Sequence, residues 1–391
     1  MKQLEKMLDF CLKCNICYTQ CPVIKKEINF PGPKYLGPEL ERQWLVGGNA
    51  GDYKAIQELS YCTNCQQCNL ACPHGVKPAY FNLKHKSSLV LPLKDRARDW
   101  FLANIYIFGG LGKTLAPLTN TFLQAGLLRG LFENVGITGQ RPLPMYDRRR
   151  IKVVAGDKPS AKKAVYFIGC YASYFDTGVA GATIKLLQHA DYQVEIAPLK
   201  CCGTPLLSNG FLKQARRLAE INVARLLAYL DKGYKVVTSC PSCALALKEE
   251  YKEIFAIEGS QRLAAGVWDV GELLEAEGIK AKSPIEGGVY YHVPCHLKAQ
   301  SIGLPFARMM EGTDNLLINY EWCCGMAGTF GYKKEKYNLS LDMGSELFRS
   351  IKESRYRYVI TDCGMCKLQI EHGTGYQVLH PVQLIEKSLA H

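Results

Sequence analysis

The sequence predicts a mixed α+β and α/β chain, with a mainly helical N-terminal part followed by two tandem, duplicated α/β repeats. Three observations carry this expectation. The 18 cysteines are unevenly spread, with eight in residues 1–98, none in 99–160 and ten in 161–391. The last ten form two sets of five in the same order: a single cysteine, an adjacent pair followed by glycine, then C-x-x-C. Short β-branched and aromatic runs precede these cysteines and amphipathic helical patterns separate them, the alternation that builds α/β units.

The first part, residues 1–98, holds C-x2-C-x2-C-x3-C-P twice, as Cys11, Cys14, Cys17, Cys21-Pro22 and as Cys62, Cys65, Cys68, Cys72-Pro73. Three thiolates three residues apart wrap one loop around three irons of a 4Fe-4S cube. The fourth is carried away by the following turn and ligates the other cluster. The expected ligand sets are Cys11, Cys14, Cys17 and Cys72 for one cluster, and Cys62, Cys65, Cys68 and Cys21 for the other. This describes a two-cluster, ferredoxin-like domain. Zinc, the competing metal, usually takes two C-x2-C pairs rather than three even spacings and a fourth cysteine. Disulfides need an oxidising compartment. The chain reaches Cys11 with no apolar signal segment before it, so reduced thiols and a cytoplasmic setting are expected.

Residues 99–160 are expected to be a spacer. From 99 to 128 the only charged residues are Asp99 and Lys113, while Phe101, Ile105, Ile107, Leu111, Leu118 and Phe122 supply apolar bulk. Gly109-Gly110, Pro117 and a Thr-Asn-Thr run interrupt it. A spanning helix needs about 20 predominantly apolar residues, so none is expected. Two readings remain: a membrane-interface segment, with Arg148-Arg149-Arg150 and Lys162-Lys163 meeting anionic lipid, or a helical pair against the core or a partner subunit. The net charge of +12 suits the first without requiring it. Nothing resembling a nucleic-acid motif accompanies that charge. Gly112-Lys113-Thr114 imitates the end of a phosphate loop, but Ile107 stands where its first glycine belongs.

The first repeat spans 161–286. It opens with the strand pattern Val165-Tyr166-Phe167-Ile168, then Cys170, continues with Cys201-Cys202-Gly203, and closes on Val236-Val237-Thr238 before Cys240 and Cys243. The second spans 287–391, with Val289-Tyr290-Tyr291-His292 and Cys295, then Cys323-Cys324-Gly325, then Val359-Ile360-Thr361 before Cys363 and Cys366. Helical patterns fall at 212–230 and 336–352. Adjacent cysteines cannot both face one small tetrahedral ion without strain, but they can ligate neighbouring irons of a larger cluster. Glycine after each pair permits a turn that other residues adopt at a cost. C-x-x-C alone also suits zinc. His292 and His296 flank Cys295, and such a pair either activates a thiol or supports a metal site from outside.

These repeats resemble the CCG-domain iron–sulfur proteins, which include heterodisulfide reductase subunits and the iron–sulfur subunits of glycolate and lactate oxidases. The pattern is most similar to the iron–sulfur subunits of anaerobic glycerol-3-phosphate dehydrogenases. Phe30-Pro31-Gly32-Pro33-Lys34, Cys201-Cys202-Gly203-Thr204-Pro205-Leu206 with Asn209-Gly210-Phe211, and Cys323-Cys324-Gly325-Met326-Ala327-Gly328-Thr329-Phe330-Gly331 carry it. The resemblance implies a noncubane iron–sulfur cluster at Cys170, Cys201, Cys202, Cys240 and Cys243, and another at Cys295, Cys323, Cys324, Cys363 and Cys366. Both repeats are complete, a departure toward the reductase pattern.

No glycine-rich dinucleotide fingerprint follows a strand, so no flavin or nicotinamide site of its own is expected. Clusters move single electrons, whereas alcohol oxidation by hydride transfer needs an organic cofactor. The expectation is an electron-transfer subunit with a flavoprotein partner, by resemblance one that oxidises glycerol 3-phosphate. It would pass electrons to membrane quinone, menaquinone by resemblance, from the inner face of the cytoplasmic membrane. The alternatives are the same wiring for glycolate or lactate, a catalytic disulfide reductase working at a noncubane cluster, and an adaptor with structural metals.

Overall fold

Each C-terminal repeat builds its own four-stranded parallel sheet. The computed structural model describes residues 5–47, 57–153, 162–198, 201–282, 285–313 and 315–389. The first sheet contains β1 (Lys162–Tyr166), β2 (Tyr192–Ile196), β3 (Tyr234–Thr238) and β4 (Val267–Asp269), in the order β2-β1-β3-β4. The second contains β5 (Val289–His292), β6 (Leu316–Asn319), β7 (Tyr358–Ile360) and β8 (Val378–Leu379), in the order β6-β5-β7-β8. The two orders are the same, and so is the register: Tyr166 pairs with Val237 as Tyr291 pairs with Ile360. Strands buried on both faces are rich in Val, Ile and Tyr, as a parallel sheet covered by helices requires.

The expected strand run at 165–168 is shifted. β1 ends at Tyr166, and Phe167 makes one more backbone bond, to Val237 O, before Gly169 turns the chain at φ +76°. The helical patterns appear as Leu212–Leu230 and Tyr337–Ser354.

Alternate strand residues face different cores. Ala164, Tyr166, Val289, Tyr291 and Ile360 belong to one core shared by both repeats. Val165 and Phe167 face outward to a second, which the N-terminal residues Tyr80, Phe81 and Leu83 complete. Tyr290 and Val359 face a third, closed by Leu347 and Ile351 of the Tyr337–Ser354 helix. The N-terminal part therefore sits on the outer face of the first repeat. Its described residues form short helices, including Ile16–Thr19, Leu40–Leu45, Gln67–Ala71 and Pro78–Lys86, and contribute no strand.

The middle segment is four short helices rather than a pair: Leu93–Ala103, Ile105–Thr114, Ala116–Gln124 and Gly126–Asn134. The backbone leaves the helical region at Asn104 and Leu115, and Pro117 restarts the helix at its first turn, where a missing N–H costs nothing. No helix among the described residues is long and apolar enough to cross a membrane.

Candidate metal centres

The two N-terminal loops share one unusual backbone. Lys13 and Asn15 flank Cys14 with φ of 59° and 64°, and Asn64 and Gln66 flank Cys65 with φ of 55° and 59°. Left-handed conformations at non-glycine residues are costly and persist only where the surroundings over-determine them. Here they wind each loop into a concavity of the kind that receives anions and iron–sulfur groups. One cavity is lined by Cys11, Cys14, Cys17 and Cys72, with Leu12, Ile16 and Val76 among its walls. A second is lined by Cys21, Cys62, Cys65 and Cys68, with Val23 and Phe30. The fourth cysteine of each motif thus stands with the first three of the other. Burial, then neighbouring thiols, push Cys17 up to about 11. Burial, then the charge of Cys65, push Cys21 up to about 12. Four converging sulfurs in each cavity, with apolar side chains among the walls, fit a thiolate-ligated iron–sulfur group.

The cysteine-rich sites form at the carboxyl ends of the strands, where order 2-1-3-4 opens a crevice between the first and third strands. Cys170 follows β1, Cys201-Cys202 follow β2, and Cys240 and Cys243 follow β3; Cys295, Cys323-Cys324, Cys363 and Cys366 repeat the pattern after β5, β6 and β7. Gly203 (φ +88°) and Gly325 (φ +82°) turn their N–H groups back on Cys201 Sγ at 3.4 Å and Cys323 Sγ at 3.3 Å. A Cβ on Gly325 would lie 2.0 Å from Ser340 O, so the turn admits no other residue without rebuilding. Cys366 Sγ is 3.2 Å from Cys324 Sγ. Cys202 is held well below the ordinary thiol range by donation from Cys201 and Cys243, and Cys324 by donation from Cys323 and Cys366. Each set offers sulfurs close enough to share one polynuclear group.

Polar side chains tie the second N-terminal loop to both repeats. Gln66 Nε2 donates to Glu250 Oε1 at 2.8 Å, and Thr204 Oγ1, two residues after Cys202, donates to Glu250 Oε2 at 3.3 Å. Asn64 Nδ2 reaches the same carboxylate at 3.5 Å. Glu250 closes a π-helical turn, Ala246–Glu250, and burial followed by the charge of Cys202 pushes its carboxyl up to about 8. Lys86 Nζ donates to Cys62 O at 2.5 Å and Ser208 O at 2.8 Å, and burial lowers its ammonium to about 8. Gln67 Nε2 donates to Cys65 O and to Cys295 O, both at 3.1 Å.

His296 is half-buried and bridges the second N-terminal loop and the first repeat. One ring nitrogen meets Asn64 O at 2.7 Å and the other Ser242 Oγ at 2.8 Å, and burial pushes its pKa down. Both nitrogens have partners other than the Cys295 sulfur, so this histidine is not set up to activate that thiol. His292 differs: Nδ1 meets Asn319 Oδ1 at 3.2 Å, and its ring lies with the Cys324 and Cys366 sulfurs, ligand atoms all within 4.8 Å of one another. Glu250, Lys86 and Gln66 escape a reading by motif. Glu250 stands in a charged stretch that looks solvated, and only the fold buries it.

Residues 7–76 match the 4Fe-4S dicluster domain, and residues 164–248 and 289–371 each match the cysteine-rich CCG domain. Fold and sites together define an iron–sulfur protein of the CCG class. The chain is 33% identical to a subunit of the anaerobic glycerol-3-phosphate dehydrogenase of Escherichia coli K12, covering 97% of this chain and 98% of that protein. It therefore belongs to the family of that anaerobic glycerol-3-phosphate dehydrogenase subunit, the iron–sulfur electron-transfer subunit of the enzyme. More distant similarity extends to a subunit of the fumarate reductase (CoM/CoB) of Methanothermobacter marburgensis, 25% identical over 98% of this chain and 71% of the relative. It extends also to a subunit of the dihydromethanophenazine:CoB–CoM heterodisulfide reductase of Methanosarcina barkeri, 24% identical over 94% and 89%.

Proposed function

We propose that this chain is the electron-transfer subunit of a quinone-linked dehydrogenase, with a flavoprotein partner that oxidises glycerol 3-phosphate. Bound iron–sulfur groups supply one-electron transfer between that partner and membrane quinone, menaquinone being the proposed acceptor. Cys11, Cys14, Cys17 and Cys72 hold one cubane, and Cys62, Cys65, Cys68 and Cys21 hold the other, within residues 1–98. The five cysteines of each repeat, 161–286 and 287–391, hold a noncubane group. The observation that carries this reading is the junction: the loop bearing Cys62 and Cys65 is hydrogen-bonded to both repeats, through Glu250 and Thr204 on one side and through Gln67 and His296 on the other.

The chain's own residues do three jobs in this scheme. The left-handed loops set the sulfurs. Burial shields Cys17, Cys21 and Cys68 while Cys14 stays exposed, and such differences in solvent access set the potentials. The middle segment, 99–160, docks the subunit on the membrane. Ile107, Leu111, Leu115, Leu118 and Phe122, on two consecutive helices and the residue between them, are all exposed. No Asp or Glu lies between Asp99 and Glu133, and Arg148, Arg149 and Arg150 are exposed beside this segment. Apolar side chains with a basic flank suit an anionic bilayer surface. Its inner side is close to the first repeat: Lys113 Nζ donates to Ser173 O at 2.9 Å, and a Cβ on Gly109 would lie 2.5 Å from the Tyr174 ring.

The test is the anaerobically purified complex. Cys14→Ser and Cys65→Ser are each expected to abolish quinone reduction while the flavoprotein still reduces an artificial dye. Quinone reduction that survives both overturns the relay. Iron and acid-labile sulfide analysis with EPR counts the clusters: about eight irons are two cubanes alone, and appreciably more places clusters in the repeats.

A further inference from the structure

The two cysteine-rich sites stand on one frame, so a difference at equivalent positions carries information. The shared register makes Tyr166 equivalent to Tyr291. Each hydroxyl reaches the residue just before the C-x-x-C: Tyr166 meets Ser239 Oγ at 2.5 Å, and Tyr291 donates to Asp362 Oδ2 at 2.8 Å. The next residue is Phe167 in the first repeat and His292 in the second. Across the neighbouring strand, Tyr166 pairs with Ile196 and Tyr291 with Ile318, so Ala197 in the first repeat corresponds to Asn319 in the second. An apolar pair has become an imidazole and an amide together.

Phe167 lies in the apolar core that contains Cys202 and Cys243. His292 occupies the same place against Cys324 and Cys366, with its ring nitrogen within 4.8 Å of both sulfurs. A buried polar ring is costly unless it is satisfied. Asn319 Oδ1 accepts from Nδ1 at 3.2 Å, which leaves the lone pair on Nε2. This is how a metal-binding histidine is ordinarily held: one nitrogen donates to an oxygen that fixes the ring, and the other is free to ligate. His296 does not compete, because Asn64 O and Ser242 Oγ take both its nitrogens.

We propose that His292 is a nitrogen ligand of the iron–sulfur group in the second repeat, so that the two cysteine-rich sites are inequivalent: all sulfur in the first, sulfur and nitrogen in the second. The inference rests on the reading that the repeats hold clusters. His292 adds a neutral nitrogen donor where the first repeat has the apolar ring of Phe167, so the two groups differ in ligation and therefore in potential.

The test is pulsed EPR of anaerobically purified, stepwise-reduced protein grown with 15N-histidine, beside its His292→Phe variant. The variant copies the first repeat at this position, a packing the fold already uses; His292→Asn replaces it if folding fails. The expected result is a strong coupling from a directly bound nitrogen that disappears in the variant while both cubane signals and their iron remain. A second-repeat cluster signal without that coupling, or a coupling that survives the substitution, overturns the ligand assignment and leaves the cluster reading standing. About eight irons per chain and no signal beyond two cubanes overturns both.

Discussion

Glu250 shows how much one buried side chain can hold. Its carboxylate takes hydrogen bonds from Gln66 and Thr204 and lies within reach of Asn64, joining a cubane loop to the first repeat. Removing it strands those donors out of water, at about 1–3 kcal/mol for each one left unmade. Glu250→Leu is expected to cost roughly 2–5 kcal/mol in chemical denaturation, and Glu250→Gln less than about 1 kcal/mol near pH 7. Equal losses for both variants would show that the carboxylate, and not its hydrogen bonds, is what matters.

At the scale of elements, two helical segments make different demands. The helices Ile105–Thr114 and Ala116–Gln124 expose Leu111 at 66%, Leu118 at 72% and Phe122 at 57%. Each large apolar side chain gains roughly 1.5–3 kcal/mol on burial. Replacing these three residues by glutamate is expected to weaken binding to anionic vesicles by at least about tenfold in a sedimentation assay, with unfolding temperature unchanged because the positions are exposed. Unaltered vesicle binding would instead assign this face to a protein partner.

The C-terminal helix Pro381–Leu389 is held by His380, which donates from Nε2 to Ser239 O at 2.9 Å and accepts at Nδ1 from Val382 N at 3.2 Å. The bond accepted at Nδ1 needs the neutral ring, and burial depresses its pKa from 6.5 to about 4. A depressed folded value means that the unfolded chain binds the proton first. Stability is therefore full above pH 6.5 and declines as pH falls toward 4, by on the order of 3 kcal/mol in all. His380→Gln keeps a donor and an acceptor without titrating, so its denaturation midpoint should stay flatter over that range.

For the whole molecule, metal and fold are coupled. Burial and thiol neighbours raise Cys17 and Cys21, so loading these sites expels protons and becomes harder as pH falls. Stripping the metal leaves two strained loops without their binding partner. Anaerobic chelation is expected to lower the unfolding temperature and to expose residues 7–76 to proteolysis before the two sheets, whose cores are closed by apolar contacts. Simultaneous loss of all parts would mean that the N-terminal cap on the first repeat is essential to that repeat's core.

The sequence by itself determined the two cubane motifs, the duplication and the five-cysteine order of each repeat, because cluster ligation is written as local spacing and strand-then-cysteine order as a repeating pattern. It also marked the apolar middle and, through Pro117, the break at Leu115, though not the full division into four helices, since the break at Asn104 carries no strong sequence signal. The same spacing already assigns Cys21 and Cys72 each to the opposite set, since the turn after the third cysteine carries the fourth away; only the tertiary structure decided which distant polar groups meet around them. Gln66 and Asn64, which meet Glu250 and His296, and Ser208, which meets Lys86, all lie more than a hundred residues from those partners. Burial, which gives such groups their consequence, is a property of the folded whole. The inequivalence of Phe167 and His292 needed both: residue types from the chain, and strand register from the sheets.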